Sequence, residues 1–171
     1  ERMIFYCKGV IETVRKLGWA PDIIHCQGWF TSLVPMYIKK LYAEEPLFEN
    51  VKVIYSVFDN SFDGVLSDSL SDKLLFEKLD KNNVSRVKKS TIANLHKFAI
   101  DHADAVVQAS ADIEKDVIAH IKSSKKPFMA YPGVENYITA YQDFYEQFIT
   151  EEESVELQLN PEEAAALTEN V

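Results

Sequence analysis

The sequence predicts an α/β fold, a doubly wound and mainly parallel sheet with helices on both faces. Three observations carry this. Four short runs, at 22–27, 51–58, 104–109 and 127–131, are rich in apolar residues with little polar alternation, as in strands buried on both faces. Between them lie stretches whose apolar residues recur at steps of three and four, the signature of amphipathic helices. Strands alternating with helices require crossover connections, and crossovers join parallel neighbours.

Taken in order, Ile4, Cys7, Val10, Ile11 and Val14 draw the stripe of a first helix. Gly18 follows Leu17 where a C-terminal cap glycine belongs. Residues 22–27 read as a short buried strand that Gln27-Gly28 turns. Phe30, Leu33, Val34, Tyr37, Ile38 and Leu41 mark a second helix, with Pro35 near its first turn because further in it would kink the chain. The run 51–58 is β-branched and aromatic almost throughout, the best strand of the four. Asp59-Asn60-Ser61 and Asp63-Gly64 end it with turn chemistry. Residues 64–90 show weak periodicity and read as short helices in a long excursion. Ser90 or Thr91 caps a helix that turns Ile92, Leu95, Phe98 and Ala99 inward. After strand 104–109, Ser110 reads as the cap of a helix facing inward through Ile113, Val117, Ile118 and Ile121. Strand 127–131 leads to a closing helix over 136–149, whose Tyr137, Tyr141, Phe144, Tyr145 and Phe148 read as core rather than as a ligand platform.

At 171 residues the chain suits one domain, and 47% hydrophobic with 26% charged residues is the composition of a globular protein. Seven of its 27 acidic residues lie in 151–171, which holds no Lys or Arg; the rest balances 20 acids against 18 bases within a net charge of −9. Residues 1–150 are therefore read as the domain and 151–171 as an acidic tail, disordered or a short helix. Without clustered Lys and Arg, neither nucleic acid nor a membrane surface is an expected partner. Cys7 and Cys26 sit in apolar stretches and read as buried free thiols of a reducing, cytoplasmic compartment. No apolar run approaches the ~18–20 residues of a membrane span. The sequence opens inside a helical pattern, so the amino-terminal part of the domain is expected to be missing.

Ligands of open parallel sheets bind outside the carboxyl ends of the strands. That rule selects His25-Cys26-Gln27-Gly28-Trp29, Phe58-Asp59-Asn60 and Gln108-Ala109-Ser110. No dinucleotide fingerprint, phosphate loop or nucleophile elbow occurs. The four histidines, at 25, 96, 102 and 120, have no metal-ligand spacing, so neither a metal nor a cofactor is expected. His25 is either an active-site group or a hydrogen-bonded packing residue; His96, His102 and His120 read as structural or solvated, on or beside helix surfaces. Trp29 either stacks on a sugar or anchors the second helix. Asp59 and Asp104 bracket strand ends without forming a catalytic pair on spacing alone.

PDIIHCQGWFTSLVPMYIK (21–39), VKVIYSVFDNSFDG (51–64) and ADAVVQASADIEKDV (103–117) resemble, in the same order, three segments of the glycogen and starch synthase family. The resemblance implies the later part of the amino-terminal half of a GT-B glycosyltransferase, in a short single-domain form. That family moves glucose from ADP- or UDP-glucose to an α-1,4-glucan, so α-glucan or nucleotide-sugar are the implied partners. Gln27 stands where the family has the second His of its H-x-H-D-W motif, and Gly28 where it has the Asp. Phe58 stands where it has the His of T-I-H-N. Neither Lys-x-Gly-Gly-Leu nor a Glu-x7-Glu pair occurs in the sequence. Gln27 cannot carry a proton or a charge, and Phe58 can do neither. No catalytic residue is assigned, and a partner chain or oligomer would have to complete an enzyme. The residues expected at a sugar-binding cleft are His25, Gln27, Trp29, Asp59 and Asn60; the alternative role is a non-catalytic glucan-binding, regulatory or scaffold relative.

Overall fold

A computed structural model describes residues 1–59, 62–67, 69–76 and 79–149. The acidic tail expected at 151–171, and Asn60, lie outside the described residues. Strands β1 (Ile23–Gln27), β2 (Lys52–Val57), β3 (Ala105–Gln108) and β4 (Phe128–Met129) form one sheet in the order β1-β2-β3-β4. Every pair is parallel, as predicted. Gln27 lies beside Ser56, and Val57 beside Gln108, so the carboxyl ends come level at one end of the sheet.

Strands laid down in sequential order place their crossover helices on one face. On that face Cys26, Val53, Tyr55, Val57 and Val106 pack with α1 (Arg2–Leu17), α2 (Val34–Met36), α5 (Ile92–His102) and α6 (Lys115–Ser124). The short α3 (Leu70–Phe76) and α4 (Lys81–Val84) occupy the excursion between β2 and α5. The opposite face, Ile54, Ala105 and Val107, is covered by α7 (Tyr137–Glu146) through Phe144.

Local chemistry sets the boundaries. Gly18 ends α1 in the left-handed region at φ 66°, its N–H donating to Arg15 O. The Thr91 hydroxyl caps α5 by accepting from the Asn94 N–H. Pro35 lies in the first turn of α2, which widens into a π turn over Tyr37–Leu41. Three details differ from the sequence reading. Gly28, at φ 71°, starts a separate 3-10 turn (Trp29–Thr31), so α2 begins later and Phe30 is exposed. Val10 and Leu41 also face outward. Ser110 caps no helix: its hydroxyl is engaged with Asp59, and the Gln108 amide donates to Ser110 O and Ala111 O, which keeps this loop out of α6.

At the amino ends of the strands Asp104 ties β2 to β3. Its Oδ2 accepts from the Val53 N–H at 2.7 Å and pairs with Lys39 Nζ at 2.7 Å. Lys126 Nζ donates to the carbonyls of Ile100, Asp101 and Ala103, where the dipole of α5 favours a cation.

Phe144 is the buried anchor of α7. Phe144→Ala is expected to cost about 3–5 kcal/mol of stability. In denaturant titration with hydrogen exchange, α7 amides should lose protection before those of β2 and β3.

Candidate functional site

Gln27 ends β1, Phe58 follows β2, Ala109 follows β3 and Tyr131 follows β4, with α7 laid across them. Between them lies a cavity of about 670 Å³, within the usual range for small-molecule sites. Tyr131, Tyr137, Tyr141 and Tyr145 line it together with Gln27 and Phe58, and no charged side chain among the described residues does. Gly133, in the loop at its lip, takes φ 81°, a conformation that disfavours any side chain.

The floor is a chain of hydrogen-bonding side chains. His25 Nδ1 lies 2.6 Å from Tyr145 Oη and Nε2 lies 2.6 Å from Ser56 Oγ, which is 3.4 Å from Tyr141 Oη. Protons can run along it in order, Tyr145 donating to Nδ1, Nε2–H to Ser56 and Ser56 to Tyr141, or in the reverse order. Either order requires a neutral imidazole, and burial holds His25 down to about 4. Burial and the neighbouring Tyr141 keep the Tyr145 hydroxyl above its ordinary value. Ser56 is fully buried, so this Ser–His contact is a brace rather than a nucleophile and its base.

The residues expected at a cleft separate. Gln27 is exposed and lines the large cavity; His25 lies under it. Trp29 packs edge-on against Phe30 and Phe62, with centroids 5.3 and 5.0 Å apart, and borders a different cavity with Leu70. Asp59 lies beyond Phe58, its carboxylate accepting from Ser110 Oγ at 3.1 Å. Asp104 sits at the other end of the strands, so the two aspartates form no pair. The tyrosines of the cavity were not in the expected set. Their signal was the four-residue repeat of Tyr137, Tyr141 and Tyr145 beside the core positions Phe144 and Phe148. A single stripe splits in this way when the first turn of a helix overhangs the sheet end, leaving Tyr137 half exposed.

Among the described residues no group of three or more His, Cys, Asp or Glu could hold a metal ion. Cys7 and Cys26 are free and buried, and burial pushes the Cys7 thiol up to about 12 and Cys26 higher still. No helix among the described residues is long and apolar enough to cross a membrane.

Residues 1–126 match the family described as the starch synthase catalytic domain, and the chain belongs to that family. It is 31% identical over 120 residues to a glycogen synthase of Chlorobium limicola, covering 70% of this chain and 24% of that protein. A glycogen synthase of Chlorobaculum parvum is 34% identical over 128 residues, covering 72% and 25%. One from Chlorobium chlorochromatii is 47% identical over 57 residues, covering 33% and 12%. The chain thus spans about a quarter of the length of the first two. No solved structure matches. Helix α7 lies beyond the matched residues.

His25 and His96 are each depressed to about 4 from 6.5, so the unfolded chain binds their protons first as pH falls. Stability is expected to be highest above pH 6.5 and to fall by up to about 3 kcal/mol per histidine on approaching pH 4. His102, also lowered by burial, acts in the same direction. Urea titrations across this window should show the slope, and His25→Gln should remove one histidine's share.

Proposed function

We propose that this chain holds a neutral α-1,4-glucan at the carboxyl ends of its strands and does not itself transfer glucose. The observation that carries this is the uncharged, tyrosine-lined cavity. Aromatic rings cover the C–H faces of a sugar while Gln27, Gln142 and the phenol hydroxyls meet its hydroxyl groups. A nucleotide-sugar diphosphate would need cations or a backbone nest, and the lining supplies no cation among the described residues. Glycosyl transfer further needs groups that stabilise developing charge. Gln27 and Phe58, standing at the family's two histidine positions, supply neither a proton nor a positive charge. The family membership supports α-glucan as the ligand, and two buried free thiols suit the reducing cytoplasm.

Maltoheptaose should bind with a millimolar Kd, about −4 kcal/mol. Tyr137→Ala, at an exposed position, should weaken it about tenfold, or ~1.4 kcal/mol, whereas Trp29→Ala should leave it unchanged. NMR or calorimetric titration measures both. Absence of any shift at high millimolar sugar would remove the glucan reading and leave a scaffold role.

Purified chain should transfer no glucose from ADP- or UDP-glucose to glycogen. Radiolabel incorporation within a hundredfold of a full-length synthase would overturn the non-catalytic half of the proposal.

A further inference from the structure

Two side chains at the rim of the tyrosine-lined cavity take no part in the sugar contacts proposed above. Val134 is 78% exposed and Ile138 is 67% exposed, and an aliphatic group cannot answer a hydroxyl. With Tyr131 and Tyr137, also exposed, they carry the apolar lining outward over the lip. Single apolar residues on a surface need no explanation, but a contiguous exposed patch rimmed by polar groups marks a place where another molecule sits.

Charge selects the kind of molecule. After Lys126 the sequence holds ten carboxylates and no Lys, Arg or His, whereas the first 126 residues hold 17 acids and 18 bases. Glu135 follows Val134 on the lip, and Glu146 lies one turn beyond Gln142 on the same face of α7, both exposed. Phe58 also borders a smaller cavity, of about 130 Å³, that Asp59, Asp112 and Glu114 line together with His96. His96 was expected on or beside a helix surface; it is buried, with Nδ1 2.8 Å from the Tyr55 hydroxyl. Its Nε2 has no partner among the described residues, and burial holds the ring neutral down to about 4, so it adds no positive charge. Carboxylates therefore flank the mouth from the α7 side and from the Phe58 side, and no Lys or Arg among the described residues lines either cavity. A second copy of this chain would set the same carboxylates against these, and nucleic acid or an anionic membrane would bring phosphates. A partner rich in Lys and Arg is the one whose charge complements the rim.

The row of rings sets the shape. Tyr137, Tyr141 and Tyr145 recur every four residues along α7, a span of about 12 Å at 1.5 Å per residue. An amphipathic helix presents its apolar side chains over a matching span, three to four residues apart. We infer that the lip and the cavity form a groove for an amphipathic helix of a partner protein, apolar on the face it buries and basic on the faces that meet the rim. Such a helix covers Tyr137, so it and a glucan exclude one another; the inference does not rest on glucan binding.

The test uses the full chain and a synthetic helical peptide of about 18 residues, with Leu and Phe along one face and Lys and Arg on the others. One control peptide has the same composition scrambled so that no apolar face forms, and a second has Glu in place of every Lys and Arg. Anisotropy of the labelled peptides and ¹⁵N spectra of the chain are followed together. The basic helix should bind with a micromolar Kd, move the amides of Val134, Tyr137 and Ile138, and weaken as added salt screens the rim. Both controls should bind at least about tenfold more weakly. Val134→Asp combined with Ile138→Asp changes two exposed positions, and its spectrum shows whether the fold is kept. This variant makes the mouth more acidic, so attraction by charge alone would tighten binding, whereas docking on the apolar lip should weaken it about tenfold. The inference is overturned if the folded double variant holds the basic helix as tightly as the parent chain, or if the basic helix fails to bind or leaves those three amides unmoved. It is equally overturned if either control binds as well as the basic helix, or if the chain by itself dimerises through these residues. Maltoheptaose is titrated separately, so a missing sugar response removes the glucan reading and leaves this one standing.

Discussion

The brace of His25 between Ser56 and Tyr145 is the interaction on which the mouth of this sheet depends. With the strands in sequential order, the crossover helices all lie on one face, and among the described residues α7 covers the other. Phe144 supplies apolar anchorage, which is non-directional. The imidazole supplies direction, since two contacts of 2.6 Å on opposite sides of a flat ring fix how α7 lies relative to β1 and β2. The row of tyrosines then projects over the strand ends, and the large cavity follows from that placement.

The two ends of the sheet are built from different chemistry. At the amino ends, charges hold the frame, with Asp104 joined to Lys39 and to the Val53 amide and Lys126 closing α5. At the carboxyl ends, the described groups facing the large cavity are neutral: phenols, amides, the Phe58 ring and aliphatic side chains such as Val134 and Ile138. A neutral, hydroxyl-rich ligand loses little there, because no lining charge has to be stripped of water without a partner. Phe58 is central to both cavities at this end. It removes the ionisable group that the family resemblance places at its position, and it separates the tyrosines from the His96 compartment.

Much of the architecture was legible because it follows from short-range rules. Continuous apolar runs gave the four parallel strands, and Gly18, Pro35 and Thr91 marked helix boundaries through backbone conformation and capping. The strand-end rule located Gln27 and Phe58 at the mouth. What failed did so where long-range partners intervene. Ser110 looks like a helix cap, yet its hydroxyl is taken by Asp59, 51 positions away. For Trp29 the sequence left two readings open, a sugar platform or a packing anchor, and only the contacts with Phe30 and Phe62 show where its ring lies.

The sequence by itself determined the fold class, the order of the elements and the resemblance to the family. These are properties of residue type and spacing along the chain. Only the tertiary structure decided that His25 is a brace, that three tyrosines of α7 line a cavity and that His96 is buried with one nitrogen unpaired. Each of these depends on groups 31 to 120 positions apart in the chain meeting in space. Periodicity shows which face of a helix is apolar, and cannot show which surface that face will meet.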